Sequence, residues 1–180
     1  MKTEYEQRAL QFSDEIPNCP MPKNFGQVND RLYRGGWPQT ADFLSDFNII
    51  EVITLYSSSN EKEAKWIITL KKIVADAGVN HTIIDVNNNW DLWRAALHIH
   101  ESNIRMYVHC QAGANRTSMV CLISEIMRLG PELASKALAA LVNEAISYGF
   151  DYHKEKYRQI LTDILIQAKQ QGLLFDWFLP

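Results

Sequence analysis

Between Arg105 and Arg128 the chain reads as a short strand, a tight loop and an apolar helix, with no acidic residue in the loop. Arg105-Met106-Tyr107-Val108 has strand character, and Ser118 to Arg128 has helical character. The loop is His109-Cys110-Gln111-Ala112-Gly113-Ala114-Asn115-Arg116-Thr117. A loop that feeds a helix N-terminus meets unpaired backbone N–H groups and roughly half a positive charge, so it is a ready anion site.

The residue types agree with that reading. Five residues separate Cys110 from Arg116, enough to curl the amides of Gln111, Ala112, Gly113, Ala114 and Asn115 into a nest around an oxyanion. Gly113 permits φ > 0 and a close backbone approach. The positive potential favours Cys110 as a nucleophilic thiolate. Arg116 supplies a planar fork for two phosphate oxygens, a geometry suited to the charge-spread phosphoryl group in transfer. Thr117 is expected to bring a hydroxyl close to the sulfur.

His109, Cys110, Gly113, Arg116 and Thr117 occupy every fixed position of His-Cys-x-x-Gly-x-x-Arg-Thr/Ser. This resembles the signature loop of the cysteine-dependent protein tyrosine and dual-specificity phosphatases. Leu32-Tyr33-Arg34-Gly35-Gly36-Trp37-Pro38, with Phe43, Leu44 and the strand after them, is similar to the leading segment of small atypical dual-specificity phosphatases. Arg128-Leu129-Gly130-Pro131 and the Ala-rich helix beyond it also fit, so the likeness spans residues 25–165. Ser118 departs from the glycine that commonly follows the threonine. The resemblance implies catalysis by Cys110 and Arg116, a loop-ordering role for His109, and no cofactor or metal.

Composition is compatible with such an enzyme. A chain of 180 residues that is 47% apolar suits one α/β domain. The division expected is an N-terminal extension over residues 1–25 on the surface, a phosphatase domain over 26–172, and an apolar tail over 173–180 docked on the core. A net charge of −3 with interspersed signs gives no field that attracts nucleic acid or an anionic membrane. Cys19, Cys110 and Cys121 are too few and irregular for a disulfide framework or zinc site. His98 and His100 do not share a helix face, and Cys121 reads as a small core residue. The charged N-terminus lacks a signal-peptide core and no segment reaches membrane-spanning length, so a reducing cytoplasm is the expected location.

Along the chain, strands and helices alternate. Val28 and Leu32-Tyr33 flank a turn at Asn29-Asp30, and Thr40 caps a short helix carrying Phe43, Leu44 and Phe47. Ile49 to Leu55 forms a strand, Glu61 to Ala77 a helix closed by Gly78, His81 to Val86 a strand, and Asp91 to Glu101 a helix. Two further helices, one behind Pro131 and one through Tyr157, Ile160, Leu161, Ile164 and Leu165, read as packing elements. The order predicts an α/β fold with a mostly parallel central sheet of about four or five strands, flanked by helices on both faces. Arg34 is expected to brace that sheet.

The family supplies an aspartate that protonates the leaving oxygen. Here the candidates are Asp91, after Trp90, and Asp85, at a strand end; a third possibility is that no dedicated acid exists and only good leaving groups depart. Gln111, Ala112, Ala114 and Asn115 are uncharged, which favours a singly phosphorylated group on a protein, phosphotyrosine or phosphoserine/threonine, or a small phosphomonoester. The alternatives are an inositol-phosphate or phosphoinositide phosphatase, and a catalytically weak pseudophosphatase that binds phosphorylated partners.

Overall fold

The computed structural model describes residues 20–175. Its strands are β1 (Gly26–Gln27), β2 (Leu32–Gly35), β3 (Glu51–Tyr56), β4 (Asn80–Asp85) and β5 (Met106–His109). Its helices are α1 (Ala41–Asp46), α2 (Glu61–Asp76), α3 (Asn89–Glu101), α4 (Asn115–Ser147) and α5 (Glu155–Gln170). Among the described residues the strands form one sheet in the order β1-β2-β5-β3-β4. All pairings are parallel except β1 with β2, the predicted hairpin, where Gly26 faces Arg34 and Gln27 faces Tyr33.

The alternation of side chains on the central strands builds two cores. Ile53, Leu55, Met106 and Val108 join the core formed with α3, α4 and α5, while Val52 and Tyr107 join the core formed with α1 and α2. The sheet is therefore covered on both faces, as the strand and helix order predicted.

Local chemistry explains where the helices begin and break. Thr40 Oγ1 accepts the Phe43 N–H at 3.4 Å, and Asn60 caps α2. α3 starts at Asn89, ahead of the expected start at Asp91, because Asn88 is the N-cap and Asp91 its reciprocal partner in a capping box. α4 extends well past Arg128. Gly130, at φ 72° and ψ 169°, breaks its helical path just before Pro131. Leu174 is buried and the Phe175 N–H donates to Ser135 Oγ at 3.1 Å, so the tail is anchored this far. The expectations for Cys19, for most of the N-terminal extension and for residues 176–180 of the tail lie outside the described residues. No helix among the described residues is long and apolar enough to cross a membrane.

Candidate active site

Parallel pairing carries the C-terminal ends of β2, β3, β4 and β5 to one sheet edge, where ligands of open α/β sheets bind. The loops leaving that edge, together with α5, line a cavity of about 540 Å³ whose wall includes Cys110, Arg116, Glu63, Asn88 and Tyr157.

The loop from Cys110 to Ala114 is held from outside by its carbonyls. Asn24 Nδ2 donates to Ala112 O at 2.8 Å, the Trp37 N–H reaches Gln111 O at 3.5 Å, and Arg34 Nη2 donates to Gly113 O. With three successive carbonyls bonded to residues outside the cavity wall, the N–H groups on the opposite side of the same peptide planes are left for an anion. Among the described residues no hydrogen bond uses the N–H of Gln111, Ala112, Gly113 or Ala114. Gly113 has φ +69°, as its place in the loop required. Asn115 at the start of α4 accepts the Asp151 N–H at 3.0 Å, which ties the helix N-terminus to the segment before α5.

Arg34 is fully buried, stacks over the Tyr148 ring at 4.3 Å and donates to Ser118 Oγ at 2.9 Å. It braces the Cys110 loop, where the sequence reading expected it to brace the sheet. Ser118 thus has a task here that a glycine has no atom to perform.

Arg116 is clamped by a residue the sequence did not point to. Glu63 on α2 accepts Nη1 at 2.8 Å through Oε2 and Nη2 through Oε1, while Nη1 also donates to Leu55 O at 3.1 Å. Burial alone lowers the pKa of Arg116, but hydrogen bonding to Glu63 and electrostatic interaction with Cys110 and Glu63 raise it overall. Glu63 is 2% exposed and also accepts the Ser57 N–H at 2.7 Å.

Next to Cys110, His109 is fully buried and its pKa is pushed down to about 3 by burial, so the ring is neutral. Thr117 Oγ1 is buried without a hydrogen-bond partner, so the predicted contact with the Cys110 sulfur is not formed as a hydrogen bond. Burial pushes the Cys121 thiol up to about 12, an inert core residue. His98 is bonded to Glu51 at 2.9 Å.

No protein-family model and no curated protein matches the chain by sequence. Solved structures match its architecture. The core catalytic domain of the PP-IP phosphatase SIW14 from S. cerevisiae is 15% identical with a TM-score of 0.60, covering 87% of this chain and 97% of that one. A DUF442 protein from Shewanella putrefaciens CN-32 is 19% identical with a TM-score of 0.60, covering 93% and 98%. PTPMT1 is 19% identical with a TM-score of 0.52, covering 81% and 99%. The chain has the cysteine-dependent phosphatase fold.

Within that phosphatase fold neither predicted acid lines the cavity. Asp91 is buried and its Oδ2 accepts the N–H groups of Asn87 and Asn88 at 3.0 and 3.2 Å, a capping role that occupies the carboxylate. Asp85 accepts the Ser58 N–H at 2.9 Å, and hydrogen bonding by Ser58 lowers its pKa, with a smaller push from the Arg116 charge. It is the ionised form, a poor donor, that these bonds favour. Where the sequence reading expected an acid, the wall presents the neutral Asn87, Asn88 and Asn89. α5, expected to serve packing alone, also reaches the cavity. Lys156, Tyr157 and Ile160 line the cavity, so this helix contributes to the site as well as to the core.

Proposed function

We propose that the chain is a phosphatase that cleaves phosphomonoesters through a phosphocysteine on Cys110. The observation that carries this reading is the opening of Cys110 and Arg116 onto one cavity, at the N-terminus of α4, beneath a loop whose amides are uncommitted. The Cys110 sulfur attacks phosphorus as the bond to the leaving oxygen breaks. Arg116 and the amides of residues 111–115 take the phosphoryl oxygens, and the α4 dipole favours their charge. Water then attacks phosphorus, the P–S bond breaks, and Cys110 departs as thiolate.

The leaving oxygen decides the substrate class. General acid catalysis contributes about 10²–10⁴-fold, and it matters most for a strongly basic leaving oxygen. With Asp91 in its capping box and Asp85 held ionised, the reading favours a weakly basic leaving oxygen, as in an aryl phosphate or phosphotyrosine, over phosphoserine or phosphothreonine. The uncharged side chains of Gln111, Ala112, Ala114 and Asn115 suit a single phosphate. An inositol-phosphate reading draws on the cavity volume of about 540 Å³ and on the likeness to SIW14, a PP-IP phosphatase.

Rapid quench of an aryl phosphate reaction, followed by mass spectrometry, tests the chemistry: one phosphoryl group is expected on the peptide containing Cys110. Phosphopeptide binding without any trapped intermediate or turnover identifies a binding module instead. Faster turnover of inositol phosphates than of phosphotyrosine peptides reassigns the substrate class.

The same assay examines the acid. Asp85→Asn and Asp91→Asn are each expected to keep aryl phosphate kcat within about tenfold of wild type, short of the loss that removing a working acid brings. Asp91→Asn is expected to lower the melting temperature, since it weakens the capping box at a cost of about 1 kcal/mol. A hundredfold fall in kcat with an unchanged melting temperature identifies Asp91 as the acid.

A further inference from the structure

One hydroxyl proton sets the direction of a hydrogen-bond chain behind the nucleophile. Thr54 Oγ1 on β3 lies 2.8 Å from His81 Nε2 on β4 and 2.9 Å from His109 Nε2 on β5. On its other side, His109 Nδ1 lies 3.4 Å from the carbonyl oxygen of Cys110. All three residues sit on adjacent strands, with Thr54 opposite His109 in the β3–β5 register and opposite Ile83 in the β3–β4 register.

The donors follow from elementary valence. A carbonyl oxygen only accepts, so His109 Nδ1 carries the hydrogen. A neutral imidazole has one N–H, so His109 Nε2 is then a lone pair and Thr54 donates to it. Thr54 has no second proton, so its oxygen faces His81 as an acceptor, and His81 Nε2 carries the hydrogen. The reverse chain has Nε2–H of His109 donating to Thr54 and Thr54 donating to His81. It leaves the His109 Nδ1 lone pair against the Cys110 carbonyl, two acceptors face to face in a site without water contact.

We infer that His81 is a positioning residue: its Nε2–H, relayed by the Thr54 hydroxyl, holds His109 in the Nδ1–H tautomer that anchors the carbonyl of Cys110. His81 lies outside the cavity wall and does not touch the reacting atoms. Burial, with a smaller contribution from the charge of Lys71, keeps His81 below the usual histidine pKa, so near neutrality it too is a neutral ring with one N–H to place. The tautomer assignment stands on hydrogen-bond geometry between two neutral rings; its effect on turnover rests on the phosphatase reading.

The test is long-range ¹H–¹⁵N NMR of the histidine rings of the intact protein, combined with aryl phosphate kinetics. Wild type is expected to show His109 as the Nδ1–H tautomer and His81 as Nε2–H. Thr54→Val, which keeps the shape and removes the hydroxyl, is expected to convert His109 to a tautomer mixture. It should lower kcat about fivefold to tenfold, the size of one net hydrogen bond, with KM unchanged. Thr54→Ser is expected to restore both, and His81→Gln, which keeps an N–H donor, to preserve them better than His81→Phe. An Nε2–H tautomer for His109 in wild type overturns the inference. So does a Thr54→Val protein whose His109 tautomer and kcat match wild type. Because the ring signals are read on the protein itself, absence of hydrolysis counts against the phosphatase reading and leaves the tautomer result decisive for this one.

Discussion

Arg116→Lys is expected to lower aryl phosphate kcat by about 10³-fold or more, the scale of losing an arginine that neutralises a phosphoryl group in transfer. The reason is geometric. Both hydrogens on Nη1 and one on Nη2 are committed to Leu55 O and the Glu63 carboxylate. That leaves the Nε–H and the second Nη2–H along one edge, a pair spaced for two phosphoryl oxygens. Glu63 thus does not merely neutralise Arg116; it fixes which edge of the fork stays free in a side chain that lines the cavity. A lysine ammonium is a point charge with rotatable donors and cannot hold Glu63 and a phosphate in fixed relation.

Lysine also leaves the buried Glu63 short of donors, so the melting temperature is expected to fall alongside activity. Glu63→Gln probes the clamp separately. It keeps the volume and loses the charge, and kcat is expected to fall less than in Arg116→Lys. Steady-state kinetics and thermal melts of both variants decide the matter. An Arg116→Lys enzyme within tenfold of wild type would remove Arg116 from the chemistry and with it the phosphoryl-transfer reading.

Glu63 was hidden in the sequence for a physical reason. Glu61, Lys62 and Glu63 read as the solvated first turn of a helix, where acidic residues offset the helix dipole. Asn60 and Glu63 have the spacing of a capping box, and Asn60 Oδ1 does accept the Glu63 N–H at 3.4 Å. Nothing local indicates that the carboxylate reaches across to α4, because that contact depends on where the sheet sets α2. The Cys110 loop was legible as a unit for the opposite reason: it lies within nine consecutive residues between a strand and a helix that are each readable from the sequence.

Asp91 stands in a motif open to two readings, a leaving-group acid and a helix cap, and the structure shows the cap. Asn88-x-x-Asp91 ahead of Leu92 and Trp93 is a helix-start pattern, and reading it as such makes the carboxylate structural. α5 illustrates a limit of periodicity. Helical spacing of Ile160, Leu161, Ile164 and Leu165 identifies a face that packs, yet Ile160 and the neighbouring Lys156 and Tyr157 reach the cavity at the helix's first turns. Which end of a packed helix overhangs a sheet edge is set by the turn that precedes it, here the segment tied by Asp151 to Asn115.

Gly113→Ala is expected to destabilise the protein by about 3 kcal/mol, which for a chain of this size lowers the melting temperature by about 6–12 °C. It should also abolish most activity, because the loop cannot keep its place. A Cβ built on Gly113 falls 2.2 Å from Gly35 C and 2.4 Å from Gly36 N. Those are backbone atoms of the β2 end, unable to swing aside as a side-chain tip does. Gly35 cannot retreat, since a displacement of that strand end strains Tyr107, whose hydroxyl donates to Gly36 O at 2.5 Å. Nor can the loop lift away without losing the Arg34 bond to Gly113 O.

Conformational strain alone does not account for a loss of that size, and the molecule contains its own control. Gly78 has φ +67°, nearly the φ +69° of Gly113, yet a Cβ there meets nothing within 4 Å. Gly78→Ala is therefore expected to cost only the left-handed strain of about 1–2 kcal/mol, with kcat unchanged. The difference between the two melts measures how tightly the loop is seated on β2, apart from its backbone angle. Equal melting temperatures for the two variants would mean that the loop yields freely, and the amide cradle would then have no rigid floor from which to stabilise a transferring phosphoryl group.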